Sequence, residues 1–267
     1  MKDFVLDLAL LKNTFNEKLN TMREYLQAYI LRTLYENRFF FGYAFVGGTA
    51  LRFLYGLPRF SQDLDFSLAR RHKLQFAALV KKIERELVLA GYDLAVAHKE
   101  KAPVYSAMFK FRGLMYEAGL SAHRDENFSI KIEIDNNPPK GAKLENMLVN
   151  KYFILSFLCY DISSLFAGKL HAILSRKYTK GRDFFDLGWY LTKWKDISPN
   201  IPLLTNALKQ TGWRKEYPRT DNWKDFLAEV VTRVDWALVK RDVESFLENP
   251  KDAGIFTKEN ILKLLHF

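Results

Sequence analysis

The order of apolar and polar positions divides the chain into recognisable segments. "MKDFVLDLALLKNTFNEKLN" carries Asp3 and Asp7 inside its apolar part and lacks a small-residue cleavage site, so it predicts an amphipathic helix rather than a signal peptide. Residues 14–38 keep helical apolar spacing. "FFFGYAFVGG" then predicts a buried strand running into a glycine turn. "TALRFLYG" predicts a short helix with Thr49 as its cap and Gly56 as its stop, and "QDLDFSLA" a second strand. "KLQFAALVKKIERELVLAG" has the stripe of a long amphipathic helix closed by Gly91. Three segments with a period of two come next, "YDLAVAHK", "VYSAMFKFRGLM" and "FSIKIEID", as expected of strands in a half-buried sheet.

The strongest break is "NNPPKGAK" at residues 136–143, which places two prolines and a glycine among polar residues and is expected to end the last strand. Beyond it the pattern is mostly helical, with Ser163 or Ser164 before "LFAGKLHAILSRK" and Gly181 before "RDFFDLGWYLTKW" as starting signals. The expected fold class is α+β. Residues 1–142 are expected to form an α/β domain and residues 143–267 a helical domain; no repeat or low-complexity segment interrupts either.

Composition narrows the picture. The 267 residues are 48% hydrophobic and 15% aromatic, enough for a sizeable core and against disorder. Lys and Arg total 41 against 31 Asp and Glu, a formal net charge of +10, which suits a polyanionic partner such as nucleic acid or nucleotide. Cys159 is the only cysteine, so neither an intramolecular disulfide nor a thiolate metal site can form, and a reducing, cytoplasmic setting is expected. The longest apolar run, "YFILSFLCY", is far shorter than the roughly 20 residues a bilayer span needs, so no membrane association is expected. His72, His98, His123, His171 and His266 show no ligand spacing, and no Gly-x-Ser-x-Gly occurs; zinc and serine-nucleophile chemistry are not expected.

Chemistry concentrates in "FVGGTALRFLYGLPRFSQDLDF". Residues two apart on a strand share a face about 6 to 7 Å apart, so Asp63 and Asp65 point together while Leu64 and Phe66 pack beneath them. Two parallel carboxylates repel unless a cation lies between them; Mg²⁺ prefers such oxygen ligands and completes its shell with water and substrate phosphates. Without a Cβ, Gly47 and Gly48 allow a phosphate close approach to the backbone, at the positive end of the following helix. On "SIKIEID" the isoleucines share one face, leaving Lys131, Glu133 and Asp135 on the other. Glu133, mid-strand, is the expected third carboxylate; Asp135, beside the Pro-rich turn, is expected to serve as a turn or cap residue. Two metals held by three carboxylates suit an in-line phosphoryl displacement.

These residues carry a resemblance. "GGTALRFLYGLPRFSQDLDF" is similar to the signature of the AbiEii/AbiGii type nucleotidyltransferase-like toxins, a branch of the DNA polymerase β-like nucleotidyltransferases, whose motif runs Gly-Gly-Thr, a helix, then Arg-x-Ser-x-Asp-Leu-Asp-Phe; here Arg59, Ser61, Asp63, Leu64, Asp65 and Phe66 stand in that order. The family's Lys-containing helix is matched by "FAGKLHAILSR" and its Arg-Asp-x-x-Asp-Leu helix start by "GRDFFDL". The resemblance covers residues 43–68 and 163–192. It implies a nucleotidyltransferase-fold mixed sheet with flanking helices followed by a helical C-terminal domain, metal binding by Asp63, Asp65 and Glu133, and Mg²⁺ or Mn²⁺ as the ion. It further implies nucleotide contacts by Gly47, Gly48, Thr49, Arg59 and Ser61, with Lys169 on phosphate. Asp183 and Asp186, three apart and hence on one helix face, would orient Lys169, a base or an acceptor; the residues leave that choice open, and a dipole-favoured helix start is the competing role.

The activity so implied is transfer of NMP from an NTP to an acceptor hydroxyl, by the toxin of a toxin–antitoxin or abortive-infection pair, with tRNA as a plausible acceptor and a separately encoded antitoxin as partner. Two alternatives remain: the same chemistry on a small molecule or protein, and a catalytically silent nucleotide- or RNA-binding regulator. The runs "ARRHK", "LSRKYTKGR" and "LTKWK", with Trp189, Tyr190 or Trp194, are the expected RNA flank if RNA is the acceptor.

Overall fold

The computed structural model describes residues 1–71 and 73–266. The chain divides into two compact units. The first comprises residues 1–56, 60–137 and 146–159; the second comprises 57–59, 138–145 and 160–267.

In the first unit, α1 (Lys2–Leu10) precedes α2 (Phe15–Glu36), whose Thr14 cap and Glu17 form a reciprocal capping box. A single 3₁₀ turn at Phe39–Phe41 leads into β1 (Tyr43–Val46), α3 (Gly47–Tyr55) and β2 (Leu64–Leu68). Next come α4 (Phe76–Leu89), the hairpin β3 (Leu94–Lys101) and β4 (Val104–Phe111), the short α5 (Leu114–Glu117) and β5 (Phe128–Asp135). Two strands then depart from expectation: β6 (Leu144–Asn150) and β7 (Ile154–Tyr160) lie beyond the Pro-rich break yet complete the sheet. The break therefore does not end the strands, and the expected boundary at 142 falls within the 138–145 segment of the second unit. "ILSFLCY" is a short continuous apolar run, a pattern shared by buried strands and buried helices, so periodicity does not identify it.

The seven-stranded sheet has the order β3-β4-β5-β2-β1-β7-β6 and is mixed. Strand β1 is antiparallel to β2 and parallel to β7, while β2 is parallel to β5. Antiparallel β4 joins β5 to β3 at the edge. One sheet face, carrying Phe66, Phe109, Ile130, Ile132 and Ile134, is buried. Helix α4 packs on its edge region, Phe76 meeting Tyr105 at 5.5 Å and His98 at 6.2 Å between ring centroids. Around β1 the core is aromatic: Phe45 lies 5.5 Å from Phe66 and 5.4 Å from Phe157.

The second unit is built on α6 (Ile162–Ser175) and α7 (Gly181–Lys193), followed by α8 (Ile201–Gln210), α9 (Trp223–Arg233), α10 (Trp236–Glu244), α11 (Asp252–Ile255) and α12 (Lys258–His266). Helix α6 is capped by Asp161, whose carboxylate accepts the amide of Ser164 at 2.8 Å, rather than by Ser163 or Ser164. The Ser164 hydroxyl instead accepts the amide of Lys143 and a proton from Asn200 Nδ2, both at 3.0 Å. Gly181 is the first residue of α7, where a Cβ would strike the Val239 carbonyl; its lack of a side chain lets α7 and α10 pack closely.

Candidate active site

The turn between β1 and α3 is shaped around a carboxylate. Gly47 has φ of +78° and a Cβ there would overlap Asp65 Oδ2, so both backbone and space demand glycine. Thr49 is not the cap of α3, as its position suggested; Val46 occupies the cap position without a side-chain bond. Thr49 is instead fully buried in the first turn, where its hydroxyl donates to the Asp63 carbonyl at 2.5 Å. The approach to Asp63 is fixed from α2 as well: Gln27 Nε2 donates to the carbonyls of Ser61 at 3.1 Å and Gln62 at 2.9 Å. Gly48 is buried beside these contacts.

Asp63 immediately precedes β2 and Asp65 lies within it. In the parallel β2 and β5 pair, Asp65 stands opposite Glu133, and paired residues of adjacent strands project to one face about 4.8 Å apart. The register thus selects Glu133 as the neighbouring acid. Its carboxylate is held by Lys131 at 2.7 Å. That hydrogen bond, with the charges of Glu133, Asp63 and Asp65, raises the Lys131 ammonium above its ordinary range against the opposing effect of burial. Asp135 accepts the amide of Asn137 at 2.8 Å, the turn geometry expected of it, and burial pushes its carboxyl up despite that bond.

Among the described residues no three His, Cys, Asp or Glu side chains converge as a ready-made metal cage. The Asp63 and Asp65 pair, beside the Cβ-free Gly47, is a two-oxygen donor set. It fits a hard cation that brings its remaining ligands as water and substrate phosphate, which is how Mg²⁺ is ordinarily held.

The second unit contains a buried ionic cluster. Arg59, whose backbone bridges Leu247, points Nε and Nη2 at the two carboxylate oxygens of Asp186, each at 2.6 Å. Lys169 Nζ lies 2.7 Å from Asp186 Oδ2 and 3.2 Å from Asp183 Oδ1, and Arg176 pairs with the other Asp183 oxygen. Arg59 is 2% and Asp186 0% exposed. Burial opposes ionisation of Asp186, but the charges and hydrogen bonds of Arg59 and Lys169 override it and hold the carboxyl below its ordinary range.

This geometry revises several expectations. Arg59, expected beside phosphate, is locked in a bidentate pair. Asp186 has no accessible surface, so it meets only Arg59 and Lys169 of the expected phosphate ligands. Lys169, with a side chain 13% exposed, retains an accessible edge, and Asp183 joins it to Arg176. Tyr190, expected on an RNA flank, is buried and stacks on Phe166 at 4.3 Å. His171 faces the Thr211 hydroxyl at 3.1 Å, and burial lowers its pKa; His72 lies outside the described residues. Sequence reasoning does not single out Gln27 or Arg176 as site residues. Gln27 falls on the helical spacing of α2 like its apolar neighbours, and Arg176 lies in a basic run that reads as solvated charge.

The chain matches the family described as "Nucleotidyl transferase AbiEii toxin, Type IV TA system" over residues 24–258. It belongs to the AbiEii nucleotidyltransferase toxin family. Two solved structures share the AbiEii-like fold seen here. One is that of JHP933 from Helicobacter pylori, with 18% identity, 91% of this chain and 89% of that chain covered, and a TM-score of 0.53. The other is a putative nucleotidyltransferase from H. pylori, with 22% identity, 92% and 96% covered, and a TM-score of 0.52. Comparison with curated proteins returns no match. Among the described residues of this AbiEii member, no helix is long and apolar enough to cross a membrane.

Proposed function

We propose that this AbiEii member transfers NMP from an NTP to an acceptor hydroxyl in the presence of Mg²⁺ or Mn²⁺. RNA, with tRNA the leading case, is the acceptor class, and the biological role is that of a toxin countered by a separately encoded antitoxin. The observation that carries the reading is the Asp65 carboxylate seated against Gly47, with Asp63 tied to the same turn through Thr49. That arrangement joins two hard oxygen ligands to a glycine turn and helix start suited to phosphate.

Asp63 and Asp65 would hold the divalent ion, which neutralises the triphosphate and polarises the reacting phosphoryl group when bound. The acceptor oxygen forms a bond to the α-phosphorus as the bond to pyrophosphate breaks, and the hydroxyl proton passes to a nearby carboxylate. Glu133 is the next acid in register; releasing Lys131 would let it serve as proton acceptor or third ligand.

Incubating the protein with each labelled NTP, Mg²⁺ and total cellular RNA tests this directly. Label entering RNA, and lost on Asp65→Ala, is the expected result. Label entering protein or small molecules instead would move the acceptor class, and no incorporation with any NTP would overturn the reading.

A further inference from the structure

The sheet face that bears the carboxylates continues past them. From Asp65 the register runs straight across to Glu133 on β5, Ser106 on β4 and Lys99 on β3. Three strand spacings separate the ends of this row, about 14 Å. The row on one side joins Lys131 to Met108 and Ala97, and the row on the other joins Asp135 to Val104 and Lys101. On β3 and β4 this face consists of Ala95, Ala97, Lys99 and Lys101 with Val104, Ser106, Met108 and Lys110, so it holds three lysines and no acid. The opposite face of the same strands carries Val96, His98, Phe109 and Phe111 and is where α4 packs.

Lys99, Lys101 and Lys110 are all exposed, and none is in an ion pair among the described residues. Lysines commonly guard an edge strand such as β3, and Glu100 on the same strand turns to the other face; here the three lysines share the face that leads toward the Asp63 and Asp65 pair. Lys99 and Lys101, two apart on one strand, are about 6 to 7 Å from each other, a spacing suited to successive phosphates. Between the lysines, alanine and serine leave a low shelf, and the flexible apolar side chain of Met108 offers a surface for a base. No aromatic residue stands on this face of β3 or β4, so base stacking is limited to Met108 and the holding contacts would be those of the lysines to phosphate.

We infer that the open face of β3, β4 and β5 is a track for a single-stranded nucleic acid, held by Lys99, Lys101 and Lys110 in a sequence-tolerant way, with its reacting end delivered to Asp63 and Asp65. An acidic protein would meet the same lysines, but a nucleic acid adds regularly spaced phosphates and ends in a hydroxyl that the proposed chemistry consumes. The inference rests on the transferase reading and names the path of its acceptor.

The test measures binding of a short unstructured RNA oligonucleotide by fluorescence anisotropy, alongside NTP binding, in wild type, in Lys99→Glu with Lys101→Glu, in Lys110→Glu, and in the control Lys263→Glu, an exposed lysine of the second unit. The double variant is expected to bind RNA about tenfold or more weakly. Its dependence of log affinity on log salt should become shallower by about 0.7 per lost phosphate contact. NTP binding and melting temperature should stay as in wild type, Lys263→Glu should bind RNA normally, and two RNAs of unrelated sequence should bind alike. Unchanged affinity and salt slope in the double variant would overturn the track, as would absence of RNA binding by wild type. Equal binding of polyglutamate, lost in the same variants, would overturn it in favour of an acidic protein. If wild type failed to bind NTP as well, the transferase reading would fall; if NTP bound and RNA did not, only the track would.

Discussion

The Asp65 carboxylate lies against Gly47 so closely that a methyl group at 47 would overlap it. The glycine sits at φ +78°, where a side chain is disfavoured in any case. The first residue of α3 thus sets where a carboxylate of β2 can rest. Gly47→Ala is expected to cost about 1–3 kcal/mol of stability through backbone strain and displacement of Asp65. Nucleotide transfer should be lost with it. Urea unfolding and an incorporation assay check both effects, and a Gly47→Ala protein with full activity would show that the close approach is incidental.

Asp63→Ala and Asp65→Ala should each reduce nucleotide transfer by about 100-fold or more. Relief of carboxylate repulsion should leave the melting temperature without metal equal to or above that of wild type. Addition of Mg²⁺ should raise the melting temperature of wild type but not of either variant. The same Mg²⁺ response in all three proteins would remove these aspartates from the metal site.

Thr49 connects α3 to the start of β2 through one hydrogen bond, to the carbonyl of the residue that carries the first carboxylate. Thr49→Val keeps the shape and leaves that buried carbonyl without its donor, at a cost of about 1–3 kcal/mol. Thr49→Ser restores the donor and should recover most of the activity. Equal turnover by the valine and serine variants would show that the bond does not hold Asp63 in place.

Arg59 and Asp186 form a buried bidentate pair across 127 positions of sequence. Arg59→Ala leaves an acid whose charge is then shared with Lys169 alone, and should destabilise the protein by about 3–5 kcal/mol. Arg59→Lys should rescue only part, because one ammonium cannot match both carboxylate oxygens. Since the folded protein depresses the Asp186 pKa, the pair's stabilisation is present above the unfolded value of about 3.9 and fades as pH falls through the lower folded value. Asp186→Asn should therefore flatten the loss of stability in that acid window. Denaturant midpoints from neutral pH down to about 2 supply the check, and parallel curves for variant and wild type would contradict it.

Much of the architecture is legible in the sequence because its signals are local. The alternation in "YDLAVAHK", "VYSAMFKFRGLM" and "FSIKIEID" depends on the two-residue period of a strand, and β3, β4 and β5 lie where that period predicts. The same rule puts Glu133 on the polar face of its strand, and the signature around Gly47, Asp63 and Asp65 indicates a nucleotidyltransferase before any geometry is known. The break at "NNPPKGAK" is a turn, as its prolines and glycine indicate, but it is not the end of the sheet. A turn signal reverses the chain locally and carries no information about the strands beyond it.

What tertiary structure alone decided is who meets whom. That β7 sits beside β1, that Asp65 faces Glu133, and that Lys131 holds that glutamate depend on strand order, which no local period encodes. Thr49 occupies a position that a capping rule would assign to the helix, yet its hydroxyl serves a carbonyl 14 residues away. In isolation Arg59 and Lys169 read as phosphate ligands, Arg176 as solvated charge, and Asp183 and Asp186 as orienting groups or a dipole-favoured helix start. Only when the chain draws them out of water does the cost of burying a lone charge force them into one cluster, and that cost exists nowhere in the linear sequence.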